Sequence, residues 1–323
     1  MLIVNPNFTI DRTLALDLLV PGAVHRTGPA TASLGGKGVN VARVARAFGH
    51  PGVLVGFMPS TSAPELAMLA AGEGAEIAGV PITGIVRVAS VFLERSGRIT
   101  VFNEPGPTVD EGDWSRLLAE VERRATGQQT VVCAGSLPPG SPVDGYARVV
   151  AAARRTGLRS VVDATGEVLA NALTAQPDVV SPNLAEAETL VFGPGIEGVE
   201  PQGELVAQRA VEAAQGLASR GAWHAIVSAG SHGAAFSDGA ETVFCPAPEV
   251  SVVSPIGAGD SLVGGLVHAL EEGQPFGDAV RFALAVASAS CEQPVAGAVD
   301  VSRARELAAS LGSRSHEQQA DNP

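Results

Sequence analysis

The sequence predicts an α/β protein with a mainly parallel central sheet covered by helices on both faces. Short apolar runs typical of buried strands alternate with helix-like segments between about residues 112 and 228. This alternation is typical of parallel sheets. Polar or glycine-rich loops follow the strands, as in open sheets that bind ligands beyond the carboxyl ends of their strands. A hydrophobic content of 46% in 323 residues is enough for a large core.

The first third of the chain is less regular than the rest. Residues 1–5 predict a short buried strand, and the polar stretch Pro6–Thr13 is predicted as a loop after it. Residues 14–23 are predicted to be irregular. Two β-rich runs within residues 84–102 are joined by Arg95-Ser96-Gly97, which predicts a hairpin. A hairpin that interrupts a βα pattern is often a lid or a dimer contact.

The remaining strands and helices follow in regular order. Strands are predicted at 52–57, 130–134, 159–163, 177–181 and 224–228, and helices near 63–73, 112–126, 143–156, 166–175 and 204–220. No internal repeat and no linker between independent domains is visible. The sequence therefore predicts one domain over residues 1–310, followed by a polar, aperiodic tail at 311–323 that we expect to be disordered.

The charge balance excludes some classes of partner. The chain carries 21 Lys and Arg against 34 Asp and Glu, a net charge of −13. An acidic protein of this kind is not expected to bind nucleic acid or an anionic membrane. One Tyr and two Trp also provide little surface for stacking bases. Any phosphate site must therefore use backbone N–H groups, a few placed cations and a metal ion.

Cysteine spacing and hydropathy indicate an intracellular setting. Cys133, Cys245 and Cys291 lie far apart, without the spacing of a zinc site or a disulfide framework. The first residues lack the basic and apolar regions of a signal peptide, and no apolar run approaches a membrane span. We expect a cytoplasmic protein without a membrane segment.

The loop Gly257-Ala258-Gly259-Asp260 precedes a helix-like pattern and predicts an anion site. Glycines let the backbone approach a ligand, and the free N–H groups of a helix start favour an anion. Asp260 would repel a phosphate unless it accepts a proton from a hydroxyl group beside that phosphate. The loop therefore predicts phosphoryl transfer to an alcohol. The alternative is a glycine turn in which Asp260 caps the helix.

A second glycine-rich stretch, Gly35-Gly36-Lys37-Gly38-Val39-Asn40, also precedes a helix-like pattern. It lacks the spacing and the Ser or Thr of a Walker A loop. Lys37 among glycines at a helix start can form an anion or polyol site, or it can be a solvated side chain on a tight loop. Asp11, in the first polar stretch, is either a turn residue or an acceptor for sugar hydroxyl groups.

Together these stretches resemble the PfkB carbohydrate kinase family, which has a ribokinase-like fold. Residues 6–13 resemble the start of family members, 35–42 match the first family signature and 257–261 match the second. The segments Asn103–Gly106, Gly135–Pro138 and Pro182-Asn183-x-x-Glu186 resemble the branch that contains fructose-1-phosphate kinase, tagatose-6-phosphate kinase and the minor 6-phosphofructokinase.

The resemblance implies a role for each motif. Asp260 is expected to be the catalytic base, and the N–H groups of Gly257, Ala258 and Gly259 are expected to form an anion hole. The sugar is expected on Asp11, Gly36, Lys37 and Asn40, with Arg87 near its existing phosphate. Asn183 and Glu186 are expected to organise Mg²⁺. The nucleotide is expected along Asn183, Ser228, Gly230, Gly233, Gly257 and Gly259.

The resemblance further implies a β lid formed from about residues 8–33 and 84–106, through which two subunits form a homodimer. The implied reaction is ATP-dependent phosphorylation of a phosphorylated ketohexose, with fructose 1-phosphate as the first candidate. Fructose 6-phosphate and tagatose 6-phosphate are the other candidates. ATP and Mg²⁺ are the implied cofactors, and a small sugar phosphate is the implied partner.

Three positions depart from the branch. Ser181 replaces a lysine that reaches nucleotide phosphates, Pro255 replaces a threonine before the second signature, and Ala89 replaces an asparagine near the lid arginine. We expect the loss of the lysine at Ser181 to weaken ATP binding rather than to abolish activity. Two alternatives remain open: a family kinase for an unphosphorylated sugar or nucleoside, and a catalytically weakened protein that binds nucleotide or sugar phosphate.

Overall fold

Two sheets and their surrounding helices make up the protein, as seen in a computed structural model that describes residues 1–193 and 203–320. The strands in chain order are β1 (Leu2–Val4), β2 (Thr9–Leu16), β3 (Thr31–Gly35), β4 (Val53–Pro59), β5 (Glu76–Ile82), β6 (Arg87–Glu94), β7 (Ile99–Asn103), β8 (Thr130–Ala134), β9 (Arg159–Asp163), β10 (Val179–Val180), β11 (His224–Ser228), β12 (Gly233–Ser237) and β13 (Thr242–Pro246). The helices are α1 (Lys37–Ala47), α2 (Ala63–Glu73), α3 (Glu111–Arg124), α4 (Gly145–Thr156), α5 (Gly166–Thr174), α6 (Leu184–Phe192), α7 (Gly203–Ala218), α8 (Ala258–Glu271), α9 (Phe276–Cys291) and α10 (Val301–Ala320).

The large sheet has nine strands in the order β13-β12-β11-β10-β9-β8-β1-β4-β5. Its strands from β11 to β5 are parallel to their neighbours, and β12 and β13 add an antiparallel edge. Every residue of β8 is buried, because helices cover the sheet on both faces. The predicted α/β class with a mainly parallel sheet is confirmed.

Separate apolar clusters fill the two faces of the large sheet. On one face, α8 and α9 pack with α1 around residues such as Val44, Leu266 and Val286. On the other face, α3 and α4 bury Trp114 and Tyr146. The close approach of α8 to α1 depends on Gly264, where a Cβ would lie 2.7 Å from the Cβ of Val44. The two helices that begin with the glycine-rich motifs are thus packed directly against each other.

The second sheet has four strands in the order β3-β2-β6-β7. Strands β2, β6 and β7 lie within the segments predicted for the β lid, about 8–33 and 84–106, whereas β3 extends to Gly35. The predicted hairpin appears as β6 and β7, paired antiparallel. The prediction of a loop at Pro6–Thr13 and irregular structure at 14–23 was wrong in part, because β2 spans Thr9–Leu16. This strand pairs antiparallel with β3 and parallel with β6. Both partners are remote in sequence, so local composition gave no sign of the pairing.

Helix α10 ends the described part of the chain and extends to Ala320. It overlaps the segment 311–323, for which a disordered tail stays a prediction. Residues 321–323 of the predicted tail lie outside the described residues. In the described part of the chain, no helix is both long and apolar enough to cross a membrane.

Candidate active site

The carboxyl edge of the large sheet carries the polar residues of the candidate site. Asn5 directly follows β1, Asp163 ends β9 and Ser228 ends β11. Helices α1 and α8 begin beside this edge with Lys37 and Ala258. Because the ends of parallel strands meet at one edge, residues far apart in sequence come together there.

Asp260 lies in the first turn of α8 and is buried. Its Oδ2 accepts a hydrogen bond of 2.7 Å from Asn40 Nδ2. Burial and the negative charge of Asp163 raise the pKa of Asp260 to about 7, although the Asn40 hydrogen bond and the charge of Lys37 act to lower it. A carboxyl group that titrates near neutral pH is suited to accept a proton from a substrate.

Arg43 and Glu73 fix the orientation of Asn40. The Nη1 of Arg43 donates to Asn40 Oδ1 at 2.7 Å, and its Nε and Nη2 each lie 2.8 Å from a carboxylate oxygen of Glu73. A guanidinium group only donates, so the Asn40 atom that faces it must be the oxygen. The amide nitrogen of Asn40 therefore points to Asp260. Sequence analysis missed Arg43, whose only local signal is its position three residues after Asn40 on α1.

Lys37 forms an ion pair with Asp163. Its Nζ lies 3.1 and 3.2 Å from the two carboxylate oxygens, and Asp163 is buried. Burial acts to lower the pKa of Lys37, but Asp163, Asp260 and Glu186 together raise it. Lys37 is therefore a fixed positive charge among three carboxylates. Sequence analysis placed Asp163 in a polar loop after a strand without giving it a role, and that position was the available signal.

The glycines before α1 allow two polar side chains to pack on the loop. A Cβ on Gly35 would lie 2.1 Å from Asp11 Oδ1, and one on Gly36, where φ is 118°, would lie 2.8 Å from Asn5 Oδ1. The same Asn5 oxygen accepts a hydrogen bond from the N–H of Gly38 at 3.1 Å. Asn5 thus binds the loop through a hydrogen bond, and Asp11 packs against Gly35.

Asp11 and Arg87 extend the site onto the second sheet. Asp11 lies on β2, and burial raises its pKa against the opposing effects of the Arg43 and Arg87 charges. Arg87 begins β6, and its Nε and Nη2 donate to the carbonyl of Asn7 at 3.2 and 3.0 Å. Burial lowers the pKa of Arg87 while Asp11 raises it. The opposite charges of Asp11 and Arg87 therefore interact beside the loop that carries Lys37.

Asn183 and Glu186 form a capping box at the start of α6. Asn183 Oδ1 accepts from the N–H of Glu186 at 3.0 Å, and Glu186 Oε2 accepts from the N–H of Asn183 at 2.9 Å. Asn183 also forms a β-bridge with Ser228. The spacing Asn-x-x-Glu is a known sequence signature of this cap, which sequence analysis did not use. Glu186 lies close enough to Lys37 to raise its pKa.

The remaining glycines of the predicted site differ in their surroundings. A Cβ on Gly230 or Gly259 would meet no atom within 4 Å, so the space beside both is open. A Cβ on Gly233 would lie 2.1 Å from the carbonyl oxygen of Cys245, so packing alone requires this glycine. In the predicted anion hole, the N–H of Ala258 donates to the carbonyl of Pro255 at 3.3 Å. Gly257, with φ of 81°, is the N-cap of α8.

The structure brings several of the predicted residues together. Asn40 is hydrogen-bonded to Asp260, and the charges of Asp260 and Glu186 act on Lys37. Gly230 and Gly233 lie in the loop after β11 at the same edge of the sheet.

Comparison with known proteins also indicates a carbohydrate kinase. Residues 7–302 match the pfkB family carbohydrate kinases. A 1-phosphofructokinase of Rhodobacter capsulatus is 33% identical over 289 residues, which cover 87% of each chain. A 1-phosphofructokinase of Bacillus subtilis is 29% identical over 284 residues, 88% of this chain and 90% of the relative.

Solved structures share the whole fold. Phosphofructokinase-2 from Escherichia coli, in complex with potassium, superposes with a TM-score of 0.87 at 26% identity, covering 97% of this chain and 99% of that chain. A ribokinase from Arabidopsis thaliana has a TM-score of 0.71 at 22% identity, covering 95% of this chain and 98% of that chain, which shows the fold alone. By sequence match, fold and the arrangement of its signature motifs, the chain belongs to the pfkB family of carbohydrate kinases, enzymes that transfer phosphate to a hydroxyl group of a sugar.

Proposed function

We propose that the protein transfers the γ-phosphoryl group of ATP to a hydroxyl group of a phosphorylated ketohexose, with fructose 1-phosphate as the first candidate. The observation that carries this proposal is the buried Asp260 carboxyl, hydrogen-bonded to Asn40 and close to the Lys37–Asp163 pair. The names of the relatives in Rhodobacter capsulatus and Bacillus subtilis support the choice of acceptor.

In this reaction Asp260 takes the proton of the acceptor hydroxyl group. The hydroxyl oxygen forms a bond to the γ-phosphorus in line with the bond that breaks, and ADP leaves. Lys37, held by Asp163, supplies positive charge beside the transferring group. The backbone at Gly257, Ala258 and Gly259 supplies the anion hole in this proposal. The Ala258 N–H must exchange its long bond to Pro255 for one to phosphate.

ATP and Mg²⁺ are the cofactors that we propose. The oxygen donors of Asn183 and Glu186 are of the type that Mg²⁺ prefers, and each residue keeps an oxygen lone pair beyond the capping box. When bound there, Mg²⁺ neutralises phosphate charge in a site that already holds several carboxylates. Ser228, Gly230 and Gly233 then line the nucleotide, with open space beside Gly230.

The sugar is proposed to lie between the two sheets. Asp11, Gly36 and Asn40 bind its hydroxyl groups, and Arg87 binds its existing phosphate. A second candidate acceptor is fructose 6-phosphate, because a solved structure of Escherichia coli phosphofructokinase-2 in complex with fructose-6-phosphate matches this chain with a TM-score of 0.83 at 26% identity. The two sugars carry phosphate at opposite ends, so Arg87 would select between their binding orientations.

A substrate panel tests the proposal. ADP release is measured with ATP and Mg²⁺ against fructose 1-phosphate, fructose 6-phosphate, tagatose 6-phosphate, fructose and a nucleoside. We expect the highest kcat/KM with fructose 1-phosphate, and the Asp260→Asn variant should lose about 10²–10⁴-fold in kcat with little change in KM. Preference for an unphosphorylated acceptor would overturn the choice of substrate. Tight ATP binding without turnover of any acceptor would overturn the proposed activity.

We also propose that the second sheet joins two subunits. Leu93 and Val101 are exposed apolar residues on one face of this sheet, and Phe102 is exposed on the other face. A tetrameric inhibited form is known for Escherichia coli phosphofructokinase-2, whose structure matches with a TM-score of 0.85. Burial of these side chains between subunits would remove apolar surface from water.

A further inference from the structure

Two histidines and a glutamate form a cluster at the far ends of the helices that carry Lys37 and Asp260. His50 follows the end of α1, His268 lies in the last turn of α8 and Glu272 is the residue after α8. Lys37 and Asp260 lie at the opposite ends of the same helices. The cluster is therefore separate from the candidate active site.

The facing nitrogens of the two histidines are spaced like two ligands of one metal ion, and Glu272 lies nearby. The Nδ1 atoms of His50 and His268 face each other at 3.4 Å, and His50 Nε2 lies 3.2 Å from Glu272 Oε1. Two nitrogens bound tetrahedrally to zinc at about 2.0–2.1 Å lie roughly 3.4 Å apart. One ligand atom from each of the three residues lies within 4.8 Å of the other two. Glu272 is half exposed, so its carboxylate can turn toward a bound ion.

The surroundings prepare His268 as a ligand. Its ring stacks on Phe48 with centroids 4.7 Å apart and an interplanar angle of 22°, which fixes its orientation. Burial lowers the pKa of His268, His50 and Arg305 add to this effect, and the carboxylates of Glu272 and Glu271 oppose it. The direction of this shift favours the neutral imidazole, which is the form that binds metals.

We propose that His50, His268 and Glu272 bind one divalent transition-metal ion of the zinc class. Two imidazoles and one carboxylate provide three ligands, and water completes a tetrahedral site. Because the ligands come from the ends of α1 and α8, the bound ion links the two helices and stabilises their packing. The proposal is independent of the proposed kinase activity.

Co²⁺ and Zn²⁺ test this site in protein produced without a polyhistidine tag. Titration with Co²⁺ should give visible absorption bands of a four-coordinate ion and saturate at one equivalent. Zn²⁺ should displace Co²⁺ and raise the Tm of the unmodified protein. Oxygen-ligated Co²⁺ in a Mg²⁺ site is octahedral and absorbs far more weakly, so it does not give this spectrum.

Variants at the two more exposed ligands complete the test. His50→Gln and Glu272→Gln should each weaken Co²⁺ binding at least about tenfold and remove the Tm increase. His25→Gln, on an exposed loop before β3, is the matched control and should bind Co²⁺ like the unmodified protein. Equal Co²⁺ spectra in all variants would mean that the ion binds elsewhere. No Co²⁺ spectrum in the unmodified protein would mean that the two histidines only form a hydrogen-bonded pair. Either outcome would overturn the proposal.

Discussion

At the scale of single residues, the pKa of Asp260 is the result of opposing effects. Burial and Asp163 raise its pKa, while Asn40 and Lys37 stabilise its charged form. A fully stabilised carboxylate would be a weak base, and an isolated buried carboxyl would remain protonated at neutral pH. The residues around Asp260 therefore bring its pKa close to neutral pH.

This adjustment has a cost in stability that Asp260→Asn should reveal. Above the unfolded-state pKa near 4, a carboxyl whose folded-state pKa is raised destabilises the fold, and this cost grows until the pH reaches about 7. The variant should therefore be more stable than the unmodified protein at pH 8, by up to a few kcal/mol. At pH 4 the difference should vanish. Urea unfolding at both pH values measures it, and a pH-independent difference would contradict this account.

Arg43 should influence proton transfer without contacting the substrate. Arg43→Met removes the donor that fixes Asn40, so the amide can turn and its hydrogen bond to Asp260 is weakened. Since that bond lowers the pKa of Asp260, the acidic limb of the kcat profile should move to higher pH, and kcat at neutral pH should fall severalfold. Arg46→Met, on the same helix, is the control. An unchanged pH profile in Arg43→Met would show that Arg43 only supports the fold.

At the scale of helices and strands, local patterns predicted most strands of the large sheet. In the second sheet they predicted only the hairpin of β6 and β7. The strands at 130–134, 159–163 and 224–228 are as predicted, because buried strands in parallel sheets are continuous apolar runs. Strand β2 was missed because its polar residues, such as Asp11 and Arg12, reflect its position beside a cleft. Its pairing with β6 joins residues about 80 positions apart.

The start of α6 combines an observed capping box with the Mg²⁺ site that we propose. Glu186→Gln preserves the capping box, because glutamine also accepts a hydrogen bond at this position. Stability should therefore change by less than about 0.5 kcal/mol. Loss of the carboxylate charge should raise the Mg²⁺ concentration needed for half-maximal activity severalfold. Thermal unfolding and a Mg²⁺ titration measure the two effects, and a large loss of stability with an unchanged Mg²⁺ requirement would assign Glu186 to the cap alone.

At the scale of the whole molecule, the candidate active site is formed by segments that are far apart in sequence. Signature glycines and Asp260 could be found from sequence because they lie in compact motifs. Asp163 could not, since its role depends on Lys37, 126 residues away. The same holds for Glu73, which reaches Arg43 from another helix. Motifs thus predicted the chemistry, and tertiary packing determined the residues that tune it.

The exposed apolar residues of the second sheet give a test of assembly. Phe102→Asp replaces the most exposed of them with a charge and should convert a dimer into a monomer. Light scattering coupled to size-exclusion chromatography measures the mass. Val243→Asp, on the edge strand β13 of the large sheet, is the control and should leave the mass unchanged. A dimer that persists in Phe102→Asp would place the interface elsewhere.

The ion pair between Lys37 and Asp163 also makes the active site chemically addressable. Lys37 is the only lysine in the sequence, so an acylating reagent selective for ε-amino groups has a single side-chain target on the whole chain. The raised pKa of Lys37 keeps this amine protonated and slow to react, and Asp163→Asn should accelerate labelling. Intact mass spectrometry against a Lys37→Arg control isolates the side-chain label. The fraction of protein that a bound ligand protects then counts occupied sites directly, before any substrate is known.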